Sequence, residues 1–400
     1  MSDKHWSLNA HEFRAEMRAW LESNCPASMR GPNQGLEDIC WGGRKWVFAS
    51  EDQRLWLERA ASVGLTVPDW PCEYGGAGLT GEQKHIFHEE MARIDARSPL
   101  ESFGIWMLGP ALLKFGSEAQ KRAHLPPISR GEIRWCQGYS EPEAGSDLAS
   151  LRTRAIELDD HFVVDGQKIW TSYADEADWI FCLVRTDTVA PKHLGISFLL
   201  LDMETPGIST RPIPLISGKS PFCETRFESV KVPRQNLVGP VNGGWTIAKY
   251  LLSHEREMIG GGAQGLKDGQ PLHTIIRNSF SADRNPLSDP VFRHRVAQTD
   301  IDSLALEQTV DRYMEDAAAG QEIGDRSAVI KFLSAELNKQ KQSLVLEASG
   351  FDGLTWSAAR SDGSSIARNW LRSKANSIEG GTTEIMLGII AARLLGLPRG

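Results

Sequence analysis

Four strand signals stand together in the middle of this chain with helical periodicity on both sides. That order restricts the fold more than any other feature. Residues 161–170, 179–185, 196–201 and 225–233 are short, β-branched or aromatic, and separated by Gly, Pro and Asp. Spaced this way, they predict a small β-barrel or sandwich. Upstream, residues 8–24 carry Phe13, Met17, Trp20 and Leu21 at helical spacing. Residues 51–64 and 81–95 repeat that style, with a turn-rich loop at 67–78 between them, and helical signals continue through 105–125. From Gly243 the helical period returns and runs to about residue 395. It is broken by a Gly/Pro/Asn/Ser-rich stretch at 278–290 and again at 349–353. Long helices with short loops predict a helical bundle. The expected organisation is α+β and multidomain: helical over 1–135, β over 136–240, helical over 241–400.

The 400-residue length suits two or three packed units. A net charge of −8 argues against a nucleic-acid partner, which needs a basic face. Cys25, Cys40, Cys72, Cys136, Cys182 and Cys223 form no C-x-x-C pair and accompany no His cluster. Neither a metal site nor a disulfide framework is therefore expected, and reduced thiols fit a cytoplasmic protein. The polar N-terminus lacks an apolar signal core. No apolar run reaches the roughly 18 residues of a membrane span.

The chemistry-bearing segments are 136–147 and 166–172. The first, Cys-Gln-Gly-Tyr-Ser-Glu-Pro-Glu-Ala-Gly-Ser-Asp, places hydroxyls and glycines in one turn. The second, Gly-Gln-Lys-Ile-Trp-Thr-Ser, ends a strand in Trp, Thr and Ser. Backbone N–H groups and hydroxyls bind phosphates, and an indole packs on a flat ring, so together they suit an aromatic cofactor bearing a pyrophosphate.

These landmarks occur in sequence with Gly75-Gly-Ala-Gly78, Val230-Lys-Val-Pro233, Gly380-Gly-Thr-Thr-Glu-Ile385 and the 389–398 tail. In order and spacing the chain resembles the flavin-dependent acyl-CoA dehydrogenases over nearly its full length. The resemblance implies an N-terminal α domain, a middle β domain and a C-terminal four-helix bundle, with FAD between the last two. It implies oxidation of an acyl-CoA thioester to the trans-2-enoyl-CoA, with electrons passing to an electron-transferring flavoprotein. Tyr139, Ser140, Gly145 and Ser146 fall where the family lines the isoalloxazine edge and pyrophosphate. Trp170, Thr171 and Ser172 fall where a ring packs on the flavin and a hydroxyl binds its N5 side. Thr382 and Glu384 match the pair near the adenosine and ribityl parts.

The reaction needs a carboxylate whose pKa lies near the working pH, which requires partial burial. Glu255 falls inside the apolar stripe set by Ile247, Ala248, Leu251, Leu252, Met258 and Ile259. His254-Glu255-Arg256 also matches the base helix of the isovaleryl and long-chain branch. The alternative base is Glu379, one residue before the position that Gly380 takes in the family's Glu-Gly-Thr motif. By the resemblance, the Gly380 N–H and a ribityl hydroxyl polarise the thioester oxygen. Ser146 and Arg256 are candidate acyl-CoA contacts, although Arg256 also reads as a structural ion-pair partner.

The chain departs from the family pattern in one place. Homotetrameric members carry an Arg that reaches a neighbour's FAD pyrophosphate, and aligned through Pro286-Leu287 that position holds Phe280. This is similar to bacterial two-subunit members that act on steroid or cyclic acyl-CoAs, and it implies a heterotetramer whose partner supplies the cation. Arg277 or Arg284 serving after a local shift is the other reading, and would leave an ordinary tetramer. A non-catalytic FAD-holding subunit, an oxidase and a lyase are the competing functions.

Overall fold

The computed structural model describes residues 6–7, 9–33, 36–218, 220–261, 270–279, 285–318, 321, 324–354 and 366–398; for residues 36, 253–261, 314, 317 and 318 it gives the backbone alone. The chain divides into two compact units, Met1–Ile213 with Pro221–Leu251, and Pro214–Ser220 with Leu252–Gly400.

The first unit opens with helices α1 (Ala10–Asn24), α2 (Glu51–Ser62), α3 (Gly81–Arg93), α4 (Gly109–Phe115) and α5 (Glu118–Ser129). Their starts are written in the sequence. Asn9 accepts the N–H groups of His11 and Glu12, while Thr80 with Gln83 and Ser117 with Gln120 form reciprocal capping boxes. The predicted stripe of α1, with Phe13, Met17 and Leu21, is buried against Trp56 and Ala60 of α2 and Ile86 and Phe87 of α3. Buried Glu90 lies among Arg14, Arg18 and Arg93. The hydrogen bond from Arg18, opposed by burial and reinforced by the other two arginines, holds its carboxyl down to about 2.

Eight strands follow: β1 (Trp135–Gly138), β2 (Arg154–Glu157), β3 (His161–Ser172), β4 (Trp179–Arg185), β5 (Ile196–Asp202), β6 (Ile208–Pro212), β7 (Phe222–Pro233) and β8 (Leu237–Val238). They form one sheet in the order β6-β7-β3-β2-β4-β5-β8, with β1 pairing parallel to β4. β4 and β5 are buried along almost every residue, so both faces of the sheet are covered there. The four strongest strands are the four expected. β1, β2, β6 and β8 are five residues or shorter, too short to show alternation. This corrects the reading of 136–147 as a single turn: Cys136 to Gly138 belong to β1, and the turn begins at Tyr139.

α6 (Gly244–Gly261) follows the sheet. The second unit contains α7 (Leu272–Ser279), α8 (Pro290–Ala318), α9 (Ser327–Gly353), α10 (Ile366–Ser373) and α11 (Thr383–Ile389). Leu272 and Ile276 of α7 pack with Phe292 and Val296 of α8 and Leu344 of α9. Leu306, Ile330 and Leu337 form a second α8–α9 contact. α9 leaves helical geometry at Gly350 (φ 53°, ψ −137°), within the expected break at 349–353.

Candidate active site

β3 runs antiparallel to β7 and slips register twice, between Val164 and Gly166 and between Lys168 and Thr171. The second slip is a bulge holding Ile169 and Trp170. Ile169 N–H donates to the Ser140 carbonyl at 2.9 Å. Trp170 sits at φ 60° with 53% of its surface exposed, edge-on to Phe222. A left-handed conformation costs a non-glycine residue about 1 kcal/mol or more. A bulge re-aims a side chain, and here it turns an indole out of the sheet.

The turn after β1 is fastened to the same strand. Glu141 and Ala144 exchange two backbone hydrogen bonds of 3.0 Å. Lys168, fully buried, donates to the Tyr139 carbonyl at 3.0 Å and to Glu141 Oε1 at 2.8 Å. Glu141 also accepts the N–H groups of Arg152 (2.6 Å) and Thr153 (2.9 Å). Burial opposes its charge, but the Lys168 cation and these donors outweigh it and hold the carboxyl below its ordinary value. Tyr139 is buried edge-on to Phe181. Ser140 is half-buried, while Gly145 and Ser146 are exposed, with nothing within 4 Å of where a Gly145 Cβ would stand. Thr171 Oγ1 is buried with no hydrogen-bond partner among the described residues, and so is Thr225 Oγ1, opposite Lys168. Ser172 is half-buried at the strand end.

In the second unit, Gly380 (φ 65°) and Gly381 (φ 101°) make two successive left-handed steps. That backbone strongly favours glycine at both positions. Glu379, just before them, is engaged on both oxygens. Arg372 donates to Oε1 at 3.1 Å and Oε2 at 2.8 Å, and Asn376 Nδ2 donates to Oε1 at 2.6 Å. Thr382 caps α11, its hydroxyl accepting the Ile385 N–H at 3.2 Å, and Glu384 is exposed in the first turn.

Family models for the N-terminal, middle and C-terminal domains of acyl-CoA dehydrogenases match residues 43–132, 136–230 and 242–395. The chain belongs to the acyl-CoA dehydrogenase family. It is 37% identical over 394 residues to acyl-CoA dehydrogenase IpdE1 of Mycobacterium tuberculosis, covering 98% of each chain. It superposes on the Tcur3481-Tcur3483 steroid ACAD with TM-score 0.75 and 30% identity, covering 99% of each chain. The ChsE4-ChsE5 complex from Mycobacterium tuberculosis gives TM-score 0.70 and 27% identity over 100% of each chain. Acyl-CoA dehydrogenases are oxidoreductases and flavoproteins, and the expected class and three-domain fold are those of this chain.

The residues of this acyl-CoA dehydrogenase fit a flavin on the side that the β-sheet presents. A half-exposed indole stands beside a buried hydroxyl that has no partner among the described residues, and an open glycine-bearing turn is pinned to the same strand. An unsatisfied buried hydroxyl is costly, and a polar ring edge would satisfy it. Glu255 and Arg256 lie on α6, but their side chains fall outside the described residues, as do Phe280 and Arg284 altogether. Among the described residues no cluster of side chains suits a metal ion, and no helix is long and apolar enough to cross a membrane. Sequence reasoning passed over Glu141, Lys168 and Arg372. Lys168 was legible in principle. It shares the inward face of β3 with Phe162 and Val164, and a lysine at such a position demands a buried partner.

Proposed function

We propose that this chain is an FAD-dependent enzyme that oxidises the α,β bond of a bulky acyl-CoA thioester, steroid-like or cyclic, to the 2-enoyl-CoA. FAD, when bound, takes up the β-hydride. Tyr139, Ser140, Gly145, Ser146, Trp170, Thr171 and Ser172 hold it, joined by Thr382 and Glu384. Glu255, placed by the sequence among aliphatic residues, removes the α-proton. The Gly380 N–H donates to the thioester oxygen and stabilises the negative charge that develops there. Ser146 and Arg256 orient the acyl-CoA.

The observation that carries the choice of base is the state of Glu379. Its carboxylate accepts three hydrogen bonds, two from one guanidinium, so both oxygens are already committed to Arg372 and Asn376 and the side chain is held away from the role of a free base. The size of the acyl group is supported by the likeness to a steroid ACAD, and a heterotetramer by the likeness to two-component complexes. An electron-transferring flavoprotein is the acceptor that this chemistry calls for, and the cytoplasm its place.

The test is flavin bleaching by substrate under anaerobic conditions. Glu255→Gln is expected to slow it by about 10²–10⁴-fold, the usual contribution of a general base, with FAD still bound. Glu379→Gln should bleach within a few-fold of the parent. The reverse pattern would overturn the assignment. A panel of acyl-CoAs from short linear to steroid-like would show preference for the larger ones.

A further inference from the structure

Lys331 is the one buried cation of α9 whose partners are main-chain oxygens flanking the glycine turn. It lies within the second unit with 1% of its surface exposed. Its Nζ donates to the Asn376 carbonyl at 3.0 Å and to the Gly381 carbonyl at 2.5 Å. Two turns further along, Asn338 Nδ2 donates to Asn376 Oδ1 at 2.8 Å, and Lys339 Nζ donates to Ser377 Oγ at 2.6 Å. One face of a 27-residue helix thus holds the segment that carries Gly380. Two adjacent glycines have the widest backbone freedom of any pair. The segment needs an external anchor to keep one conformation, and Lys331 grips it both before and after the turn. Burial costs an ammonium dearly; it lowers the pKa of Lys331, with Glu379 and Glu336 opposing. A methionine would fill this space without that cost, so the charge is kept for what it holds.

We propose that Lys331 is a positioning residue for the dehydrogenation, clamping the main chain on both sides of the glycine turn and so fixing the direction of the Gly380 N–H. This rests on the reading that the Gly380 N–H receives the thioester oxygen. The test uses the FAD-loaded protein and a 3-oxoacyl-CoA, a non-oxidised ligand whose enolate has its own absorbance. The parent should bind it with a pKa well below that of the free ligand. Lys331→Met should give up at least one unit of that acidification, a ten-fold change in the ionisation constant, and Lys331→Arg should keep most of it. The matching CoA thioether, which has no carbonyl oxygen, should bind parent and Lys331→Met within two-fold, and kcat should fall at nearly constant KM. Should Lys331→Met fail to fold, Lys331→Gln is the variant to read, with an intermediate loss expected. A neutral variant that acidifies the ligand as the parent does overturns the role of Lys331. A parent that fails to acidify it overturns the Gly380 reading instead.

Discussion

Lys168 and Glu141 form the pair on which the flavin-side loop depends. Both are buried, and each completes the other's hydrogen bonding through the Tyr139 carbonyl and the Arg152 and Thr153 N–H groups. Removing one partner leaves a buried charge uncompensated, which costs about 3–5 kcal/mol. Lys168→Met is therefore expected to lower stability by about that much in urea titrations, and to weaken FAD binding more than it changes the fold. Adding Glu141→Gln should recover part of the stability and little of the FAD affinity, because the loop stays unfastened. Equal recovery of both would show that the pair has no role in presenting the loop. The two motifs were legible as motifs, since Tyr139, Ser146 and Trp170 carry recognisable chemistry. The tie between them was not, because a lysine in a strand reads as a surface residue until the register puts it on the inward face. Trp170 was legible as a ring and not as a left-handed residue, because the bulge is set by pairing with β7, far along the chain.

At the scale of elements, α5 meets the sheet through an imidazole. His124 is 8% exposed and stands edge-on to Trp135 of β1 and Trp179 of β4, at 5.3 and 5.0 Å. Burial disfavours its charged form and pushes its pKa down to about 4. The unfolded chain binds this proton near pH 6.5, so the contribution of His124 is complete above that pH and is lost as pH falls toward 4. Between pH 7 and pH 5 the linkage amounts to about 2 kcal/mol. His124→Phe, which keeps a ring at the contact, should lose correspondingly less stability over that interval in denaturant titrations at the two pH values. Parallel pH dependence in the two proteins would mean that the imidazole is accessible to protons in the folded state. This contact shows why helices were easier to read than their packing. Apolar stripes are local and gave the helices over 8–24, 51–64 and 81–95, whereas a histidine between two tryptophans is made by elements that the sequence lists separately. The same locality separates β3, β4, β5 and β7, read from their own composition, from β1 and β2, which exist through their pairing with neighbours.

At the scale of the whole molecule, the flavin motifs are divided between the two compact units: Tyr139 to Ser172 belong to the first, Thr382 and Glu384 to the second. None of the proposed flavin-holding residues is a cation, and by the resemblance the family's arginine for the pyrophosphate aligns with Phe280. A dianion without a counter-charge binds weakly. A ligand stabilises the folded state by mass action: about 2.7 kcal/mol when its concentration is 100 times Kd, but only about 0.4 kcal/mol when the two are equal. If the cation comes from a second chain, FAD at a fixed concentration should raise the melting temperature of the isolated protein by about 1 °C or less. The same FAD should raise it by several degrees in a complex with a second acyl-CoA dehydrogenase subunit. Placing an arginine at position 280 (Phe280→Arg) should shift the isolated protein toward the behaviour of the complex. An isolated chain that purifies as a tetramer with one FAD per subunit, and melts several degrees lower once stripped of it, would overturn the two-chain site. Arg277 or Arg284 would then be the cation that completes it.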